Sequence, residues 1–445
     1  MGLTGLEIYK HLPKTNCGEC GVPTCLAFAM KLAQKQTSLD KCPHVTDQAK
    51  AALEGASAPP IKLVTVGTGD NKVEVGNETV LFRHEETFYH PTALAVTADA
   101  SLPPDQLVAR VKQVNGLAFD RVGQRLSVGL IALQGGADAA QFAAAATAAA
   151  ANSVLGLVLI SDDPAAMEAA VKEVAARKPL IYAATAANVD EMARIAKANS
   201  CPLAIRAEGL PELAALSQKV QGLGVADLVL DSGARDPVKV LADQTLIRRA
   251  ALRKKFRPLG FPTIVFTTAG SPEDEVMQAV EYVAKYAGIL VTNAVEPWQL
   301  IAILTARQNI FTDPQKPIQL DAGLYRVGEP DTNSPVLTTT NFSLTYFTVE
   351  GDVEASRVPS WIVVVDTEGT SVLTAWASEK FTADTIAAAI KKTGVEEQVS
   401  HRKIIIPGGV AVLSGKLQEA SGWQVMVGPR ESSGIPTYLK TAWQG

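Results

Sequence analysis

The sequence predicts an α/β protein built from three parts: a small cysteine-rich N-terminal domain, a central (β/α)8 TIM barrel and a C-terminal Rossmann-like α/β domain. The chain has 445 residues, which is too long for a single hydrophobic core of ordinary size, so two or three domains are expected. Four of its five cysteines lie between positions 17 and 42. From about residue 92 to residue 312, short apolar runs alternate with segments of helical spacing, which is typical of a parallel sheet covered by helices.

The composition argues against several functional classes. A formal net charge of −5 is unfavourable for non-specific binding to nucleic acid, which requires a basic surface. No apolar run of 18 residues is free of polar interruptions, so we expect no membrane span. The N-terminal residues MGLTGLEIYKHLP lack the apolar core of a signal peptide, and we therefore expect a cytoplasmic protein.

The clustered cysteines have the spacing C-x2-C-x4-C-x16-C and are Cys17, Cys20, Cys25 and Cys42. Such a group, in a chain whose only other cysteine is Cys201, indicates a metal centre rather than disulfides. Thiolates suit iron–sulfur clusters and zinc, and four of them complete the ligands of a cubane. Gly18 and Gly21 would let the backbone wrap closely round a cluster, and Pro43 follows the last ligand as in bacterial ferredoxins.

Structural zinc is the alternative for these ligands. Zinc sites usually combine two C-x2-C knuckles or a mixture of cysteine and histidine, whereas this segment has one knuckle and reaches four ligands without His11 or His44. The sequence therefore favours [4Fe–4S]. A helix is expected after the third ligand, with Leu26, Met30 and Phe28 as residues that could shield the cluster. Cys201, at the start of a predicted barrel strand, is expected to be inert packing.

The domain boundaries follow from changes in pattern. Residues 1–57 form the predicted cluster domain, which ends in the small-residue and proline stretch at 54–60. Residues 58–91 form a linker with two predicted β segments, at 61–67 and 79–85. The barrel is expected over 92–312 and the last domain over 325–445. The glycines and prolines of 54–91 would allow the cluster domain to move relative to the barrel.

Eight strands are predicted for the barrel, each followed by a helix that often begins at a capping residue or a proline. An open doubly wound sheet is the alternative, and the strand count favours the barrel. The strands are expected at Ala93–Thr97, Ser127–Leu133, Leu155–Ser161, Leu180–Ala184, Leu203–Arg206, Leu228–Asp231, Thr263–Thr267 and Ile289–Thr292. Asp162, Asp163 and Asn188 are interpreted as helix caps rather than catalytic groups. Without a convincing acid/base set, the barrel is a candidate docking scaffold.

The last domain carries hydroxyl-rich and glycine-rich loops at the ends of its predicted strands, Trp361–Asp366, Lys403–Pro407 and Gln424–Val427. Helices are expected near Ala383–Thr393 and Val410–Glu419. Such loops let backbone N–H and hydroxyl groups approach a large polar ligand, although ordinary turn chemistry explains them equally. The G-x-G-x-x-G fingerprint of nucleotide cofactors is missing, and residues 409–417 fail the phosphate-loop pattern because Leu417 replaces its Ser/Thr.

The motif TNCGECGVPTC with its later Cys-Pro, followed by a barrel and a hydroxyl-rich domain, resembles the large (gamma) subunit of corrinoid iron–sulfur proteins of the acetyl-CoA (Wood–Ljungdahl) pathway. The resemblance covers essentially the whole chain, and related domains occur in the archaeal acetyl-CoA decarbonylase/synthase complex. It implies two cofactors, a [4Fe–4S] cluster and a base-off cobamide without a histidine ligand on cobalt. The missing D-x-H-x-x-G pattern agrees with that implication.

The resemblance implies a methyl-group carrier. Its Co(I) would accept a methyl group from methyltetrahydrofolate through a separate methyltransferase and deliver it to acetyl-CoA synthase/CO dehydrogenase. The cluster would reductively reactivate Co(II) to Co(I), with a reductant such as ferredoxin. The chain would form a heterodimer with the small subunit and would not be catalytic by itself; neither nucleic acid nor membrane is an expected partner.

By position in the resemblance, the cobamide contacts are expected at Thr340, Tyr346 and Gly434 and along one loop, with Pro407–Gly409 as a less certain addition. Thr374 is the residue expected to face the lower side of cobalt without ligating it. The loop residues are Gly369, Thr370, Ser371, Val372, Leu373, Thr374 and Ala375. Two other functions stay open: a ferredoxin-like electron-transfer or scaffold subunit without an organic cofactor, and a barrel that itself binds the pterin as the methyltransferase.

Overall fold

The computed structural model describes residues 4–443 except 35, 47–48, 50–52, 54–58 and 316. Most of the small-residue stretch expected to end the first domain, residues 54–58, therefore lies outside the described residues. Contacts divide the chain into two compact units. Unit 1 comprises Met1–Leu81, Thr92–Lys112 and Gly129–Asn293, and unit 2 comprises Phe82–Pro91, Gln113–Val128 and Ala294–Gly445.

The N-terminal segment of unit 1 forms two short helices, α1 (Gly5–His11) and α2 (Cys25–Ala33). Thr4 caps α1 in a capping box with Glu7, and the Thr24 hydroxyl accepts the backbone N–H of Ala27 at the start of α2. The apolar faces of the helices meet in a small core that also buries two of the clustered cysteines. Its buried members are Ile8, Leu12, Val22, Cys25, Phe28, Ala29, Cys42 and Leu53.

An antiparallel hairpin, β1 (Val64–Val66) and β2 (Val73–Val75), precedes the barrel. The predicted segment at 61–67 contains β1, but the one predicted at 79–85 is wrong because the partner strand lies at Val73–Val75. Gly67 and Gly69, both at positive φ, allow the chain to turn back early. Val64, Val66 and Val75 are fully buried in the same core as the inward side chains of the barrel.

Eight parallel strands follow the predicted order, and one hairpin interrupts them. They are β3 (Ala93–Asp99), the hairpin strands β4 (Ala118–Arg121) and β5 (Gln124–Ser127), then β6 (Leu130–Gln134), β7 (Gly156–Ile160), β8 (Leu180–Ala184), β9 (Leu203–Arg206), β10 (Leu228–Asp231), β11 (Ile264–Phe266) and β12 (Ile289–Thr292). β12 pairs with β3, and a parallel bridge joins Leu230 to Thr263, so the sheet nearly closes. The barrel is confirmed, and the open doubly wound sheet is wrong because the last strand pairs with the first.

Helices follow the barrel strands as the period-3.6 pattern predicts. They are α3 (Pro104–Asn115), α4 (Ala139–Asn152), α5 (Pro164–Val174), α6 (Val189–Ala198), α7 (Leu210–Gly222), α8 (Pro237–Arg253), α9 (Pro272–Ala284) and α10 (Pro297–Phe311). Asp163 caps α5 as expected, accepting the Ala166 N–H at 2.8 Å. Asp162 instead pairs with Arg206, and the Asn188 side chain accepts the Thr185 N–H without capping α6.

The C-terminal part of unit 2 is a five-stranded sheet in the order β13-β15-β14-β16-β17, with β13 antiparallel to β15 and the other pairs parallel. Helices cover both faces, so each face has its own apolar core. The strands are β13 (Gly323–Val327), β14 (Val336–Thr340), β15 (Ser360–Val365), β16 (Lys403–Ile406) and β17 (Gln424–Val427). The helices are α11 (Ser343–Ser356), α12 (Val372–Ala377), α13 (Ala383–Thr393), α14 (Val395–Gln398), α15 (Ser414–Ser421) and α16 (Ile435–Thr441).

This sheet confirms the Rossmann-like domain, while two of its strands, β13 and β14, were not predicted. Throughout the described residues of both units, no helix combines the length and the apolar character that crossing a bilayer requires.

Candidate functional sites

The four clustered cysteines lie on a loop, a helix start and a short turn. Cys17 is exposed and Cys20 half-buried on the loop, while Cys25 opens α2 and is buried. Cys42 is also buried and follows a 3-10 turn, its N–H donating to the carbonyl of Leu39. The Asn16 side chain accepts the N–H of Cys25 at 2.8 Å and so ties the loop to the helix. One side of the ligand set is therefore packed and the other faces solvent.

Two glycines shape this loop through their backbone angles. Gly18 and Gly21 have φ of 75° and 79°, and the Gly21 N–H donates to the Gly18 carbonyl at 2.9 Å. A Cβ at either position would meet nothing within 4 Å. From the sequence, we explained these glycines by their lack of a side chain, which would let the backbone wrap closely round a cluster. In the structure, the left-handed backbone conformation is what requires glycine at both positions.

The spacing of the sulfurs bears on which metal they could hold. A tetrahedral zinc ion with Zn–S bonds of about 2.3 Å would hold its sulfurs about 3.8 Å apart. Among the residues that the structure describes, no three of these cysteine sulfurs lie within 4.8 Å of one another. The set that does meet this spacing is Cys17, Glu19 and His44, all exposed, with His44 Nε2 3.1 Å from Glu19 Oε2. The four thiols therefore do not form a single-ion site in this structure.

The three side chains expected to shield a cluster separate in the structure. Phe28 is 1% exposed and belongs to the core between α1 and α2, whereas Leu26 and Met30 are 38% and 43% exposed on the outer side of α2. Phe28 therefore stabilises the domain that carries the ligands, and the other two contribute apolar surface.

The C-terminal sheet has a switch point between β14 and β16. From β14 the chain passes through α11 to β15 on one side, while β16 connects through α15 to β17 on the other. Ligands of open α/β sheets bind outside the carboxyl ends of strands where the order reverses in this way. A cleft with a volume of about 180 Å³ lies there. Its walls include the ends of β14 and β16, α11, the start of α12 and the loops after β16 and β17.

Three consecutive threonines end β14 at this cleft. Thr338 and Thr339 line it, and all three side chains are at most 3% exposed. The Thr338 hydroxyl donates to the carbonyl of Val363 at 2.9 Å, but the hydroxyls of Thr339 and Thr340 are buried without a partner. A buried hydroxyl without a hydrogen bond is costly, about 1–3 kcal/mol, and is expected where a ligand completes the pairing. The cleft thus fits a ligand with polar edges.

Thr340 and Tyr346, two expected contacts, are both buried, and neither is among the residues that line the cleft. Thr340 is the last residue of β14. Tyr346 lies on α11, where its hydroxyl donates to Glu350 at 2.9 Å and its ring packs 4.9 Å from that of Tyr325. Burial, with the hydrogen bond to Glu350, raises the pKa of Tyr346, so the phenol remains a donor. Tyr346 is not among the side chains that line the cleft.

One part of the expected loop after β15 is held inside the domain, and the other part lies at the cleft or in solvent. Gly369, at φ 69°, donates its N–H to the Asn341 side chain at 3.0 Å, and the same oxygen accepts two hydrogen bonds from Thr367. Ala375 is fully buried in the core. Thr370 donates to the Thr367 carbonyl at 2.7 Å. Asn341 therefore holds this loop in place.

The rest of the loop faces the cleft or solvent. Val372 and Leu373 line the cleft, and Leu373 is 58% exposed. Thr374 lies on α12 with its hydroxyl 3.0 Å from that of Ser371, the residue before the helix. Thr374 is exposed and Ser371 half-buried, and neither is among the residues that line the cleft.

The remaining expected contacts come from the loops after β16 and β17. Pro407 and Gly409 line the cleft, and Gly434 lies beside it, where a Cβ would stand 2.8 Å from the ring of Pro429. Sequence reasoning did not single out Thr339 or Arg430, which also line the cleft. The signal for Thr339 was present in the run of threonines, whereas nothing in the sequence distinguished Arg430 from other surface arginines.

At the carboxyl end of the barrel, Asp231 is fully engaged in pairing. It is 2% exposed, receives the Tyr182 hydroxyl at 2.5 Å and pairs through both oxygens with Arg235, at 2.9 and 3.1 Å. Burial, together with the charge of Asp231, raises the pKa of Tyr182, which therefore keeps its proton. The position where barrels commonly hold a catalytic group contains a closed ion pair.

Comparisons with known proteins cover nearly the whole chain. The family described as CO dehydrogenase/acetyl-CoA synthase delta subunit matches residues 63–439, and an Fe-S cluster family matches residues 12–44. Among solved structures, 7,8-dihydropteroate synthase from Vibrio fischeri aligns with 56% of this chain and 99% of its own length, at 12% identity and a TM-score of 0.39.

Two curated relatives align with this chain over nearly the full length of both partners in each comparison. The corrinoid/iron-sulfur protein large subunit of Moorella thermoacetica is 52% identical over 441 residues, 99% of each chain. The acetyl-CoA decarbonylase/synthase complex subunit gamma of Methanothermobacter thermautotrophicus is 39% identical, again over 99% of each chain. This chain therefore belongs to the family of corrinoid/iron-sulfur protein large subunits and acetyl-CoA decarbonylase/synthase gamma subunits.

Proposed function

We propose that the chain is the methyl-carrier subunit of an acetyl-CoA-forming system. The observation that carries this proposal is the 52% identity to a corrinoid/iron-sulfur protein large subunit over 99% of both chains. A separate methyltransferase would load the carrier from methyltetrahydrofolate, and acetyl-CoA synthase would receive the methyl group. The chain is thus the corrinoid-carrying component of a methyltransferase system and not a catalyst by itself.

Cys17, Cys20, Cys25 and Cys42 would hold a [4Fe–4S] cluster. The support is a set of four thiols with no three sulfurs at zinc spacing, on a loop whose glycines adopt the required left-handed turns. When bound, such a cluster supplies single electrons that restore the reduced state of cobalt. The exposure of Cys17 leaves one side of the ligand set open to a redox partner.

The cleft at the switch point of the C-terminal sheet would hold a base-off cobamide. The contacts proposed from the family are Thr340, Tyr346, Gly434 and residues 369–375, to which the structure adds Thr339 as a hydroxyl awaiting a partner. When bound, a cobamide supplies a cobalt centre that accepts and releases a methyl group. Thr374, on the exposed start of α12, is proposed to face its lower side.

The expected domain boundaries form part of this proposal: 1–57 for the cluster domain, 58–91 for the linker, 92–312 for the barrel and 325–445 for the cobamide domain. The barrel would act as the scaffold that meets the small subunit. The closed pairing of Asp231 with Tyr182 and Arg235 supports a scaffold over a pterin-binding methyltransferase, because no free carboxylate is offered at that position.

Metal analysis tests the proposal on protein purified without oxygen together with its partner subunit. We expect about four iron atoms and one cobalt per chain, since a cubane holds four irons and a cobamide one cobalt. Iron without cobalt would favour the second candidate, an electron-transfer or scaffold subunit without an organic cofactor. A single zinc ion in place of iron would contradict the assignment of the cluster.

Replacing Cys20 with Ala separates the two cofactors. The change removes one of four ligands, so we expect loss of the normal cluster signal and at least tenfold slower reductive reactivation, because ligand loss impairs cluster assembly. Methyl transfer by chemically pre-reduced protein should stay within about twofold of wild type, since the cleft is untouched. Cys201→Ala is the matched control and should retain full iron. Complete loss of methyl transfer in Cys20→Ala would contradict a purely reductive role.

A further inference from the structure

The outer surface of the barrel carries a concentrated group of cations at the end of α8. Arg249, Arg253, Lys254 and Lys255 are all exposed. Within the part of the chain that the structure describes, none of the four makes an ion pair within 4.0 Å. This concentration is a local reversal of charge in a chain whose net charge is −5. Unpaired like charges repel one another, and a patch of this kind attracts an acidic surface over about a Debye length, about 8 Å at physiological salt.

An apolar groove adjoins these cations. It runs between α7 and α8, and its lining includes Leu210, Pro211, Leu246, Phe256 and Lys254. Leu246 is 50% exposed and Phe256 43%, so the groove presents apolar surface to solvent. We call Arg249, Arg253, Lys254 and Lys255 together with this groove the basic groove. Its composition, an apolar centre with a charged rim, is that of a protein–protein contact.

The tether of the cluster domain is fixed beside the basic groove. Arg257 donates to the carbonyl of Pro59 at 2.8 Å, and the Lys62 N–H donates to the carbonyl of Gly260 at 2.9 Å. Pro59 follows Cys42 by 17 positions in the chain. The pKa of Glu7 on α1 is lowered mainly by its hydrogen bonds to Thr4 and, to a smaller degree, by the positive charge of Lys255. A protein bound at the basic groove would therefore lie beside the point where the chain that leads from the cluster ligands meets the barrel.

We propose that the basic groove is the docking surface of an acidic, low-potential electron-carrier protein of the ferredoxin type. The inference rests on the proposed function, because it requires the cluster to be the electron acceptor. One electron passes from the reduced carrier to the cluster, so the carrier is oxidised and the cluster reduced, with no bond made or broken. A permanent subunit interface is a poorer fit, since lysines are depleted from such interfaces while charged rims steer transient encounters.

Charge reversal at the basic groove tests the proposal in the complete complex. Lys254→Glu with Lys255→Glu is the test variant, and Lys391→Glu with Lys392→Glu, two exposed lysines at the end of α13, is the matched control. The probe is a reduced bacterial 2[4Fe–4S] ferredoxin. Its binding is measured by interferometry and the bleaching of the cluster by stopped flow, each at 50 and 300 mM NaCl.

At low salt, we expect the test variant to associate with the ferredoxin, and to be reduced by it, at least about tenfold more slowly than wild type. This difference should shrink at high salt. The control variant should match wild type. An unchanged rate and affinity in the test variant would overturn the proposal, and so would loss of the small subunit from the complex on size exclusion, which would make the groove a subunit interface.

Reduction by dithionite separates this inference from the proposed function. Dithionite needs no docking surface, so it should bleach the clusters of wild type and both variants equally. Failure to bleach wild type would contradict the cluster itself. Normal bleaching by dithionite, combined with normal reduction of the test variant by ferredoxin, would overturn the docking surface alone.

Discussion

At the scale of single residues, the five cysteines of the chain fall into two environments. Four lie together in the N-terminal segment, where Cys25 and Cys42 are buried and Cys17 is exposed. Cys201 lies in the barrel, is 3% exposed and donates weakly to the carbonyl of Asn199, 3.5 Å away. Burial raises the pKa of the Cys201 thiol to about 11. A thiol that keeps its proton is a poor nucleophile and a poor metal ligand, so Cys201 acts as a small apolar side chain.

Cys201 should therefore be unreactive and should make stability depend on pH. Because the unfolded thiol ionises near pH 9, the stability that the protonated Cys201 contributes is fully present below pH 9. It is lost as pH rises through about 11, by about 3 kcal/mol at most. We expect the free energy of unfolding of wild type to fall relative to Cys201→Ala over this range in urea titrations. Rapid alkylation of Cys201 in the folded protein at pH 8 would contradict its burial.

At this scale the sequence was a good guide where a residue type has one chemistry. The four cysteines could be assigned together because their spacing and the following Pro43 leave few alternatives. The group of Asp231, Tyr182 and Arg235 could not be predicted, because its members come from different strands and only the barrel brings them together. Asn188 shows the opposite error, since a residue type that commonly caps helices here bonds to the preceding turn.

At the scale of elements, β14 is the strand on which the cobamide proposal depends. It lies at the centre of the sheet, between β15 and β16, and ends in three buried threonines. Sequence analysis missed this strand, because the run VLTTT looks like a hydroxyl-rich loop when its neighbours are unknown. Burial of threonine is tolerated in a central strand when the hydroxyl bonds to the backbone, as Thr338 does. Apolar strands such as β7 and β8 needed no such context.

A pair of isosteric changes on β14 tests the role of its unpaired hydroxyl. Thr339→Val removes an oxygen that has no partner, so ligand-free protein should be equally stable or more stable by about 1 kcal/mol. Its affinity for hydroxocobalamin should fall about tenfold, the factor that corresponds to the loss of one hydrogen bond.

Thr338→Val is the matched control for this change. It breaks the hydrogen bond to the Val363 carbonyl and should destabilise the protein by about 1 kcal/mol, with a smaller effect on binding. Urea unfolding and titration by absorbance measure the two quantities. A destabilised Thr339→Val with normal cobalamin affinity would contradict the assignment of this hydroxyl to a ligand.

At the scale of the whole molecule, the parts of the chain differ greatly in the cores that support them. The barrel and the C-terminal sheet each bury extensive apolar clusters, whereas the N-terminal segment has a small core in which two cysteines take part. Domains of about 60 residues or fewer bury a small share of their surface and are only marginally stable. The bound cluster is therefore expected to supply much of the stability of this segment.

Removal of iron should loosen the N-terminal segment and leave the barrel folded. After anaerobic treatment with a chelator, we expect trypsin to cleave at Lys31, on α2, at least about tenfold faster, because local unfolding exposes the helix. Cleavage after Arg206, on barrel strand β9, should not change. Mass spectrometry of the fragments gives both rates. Equal protection of Lys31 with and without iron would show that the small core is sufficient.

The hairpin β1–β2 has a practical consequence for dissecting the molecule. Its three buried valines fill the same apolar interior as the strands of the barrel, although at least 17 residues separate them from β3 in the chain. A fragment that began at residue 92 would lack these three side chains, and water could then enter the apolar interior at the base of the barrel. Genetic excision of the cluster domain should accordingly cut before Val64, and transplantation of the barrel into another protein must carry the hairpin with it.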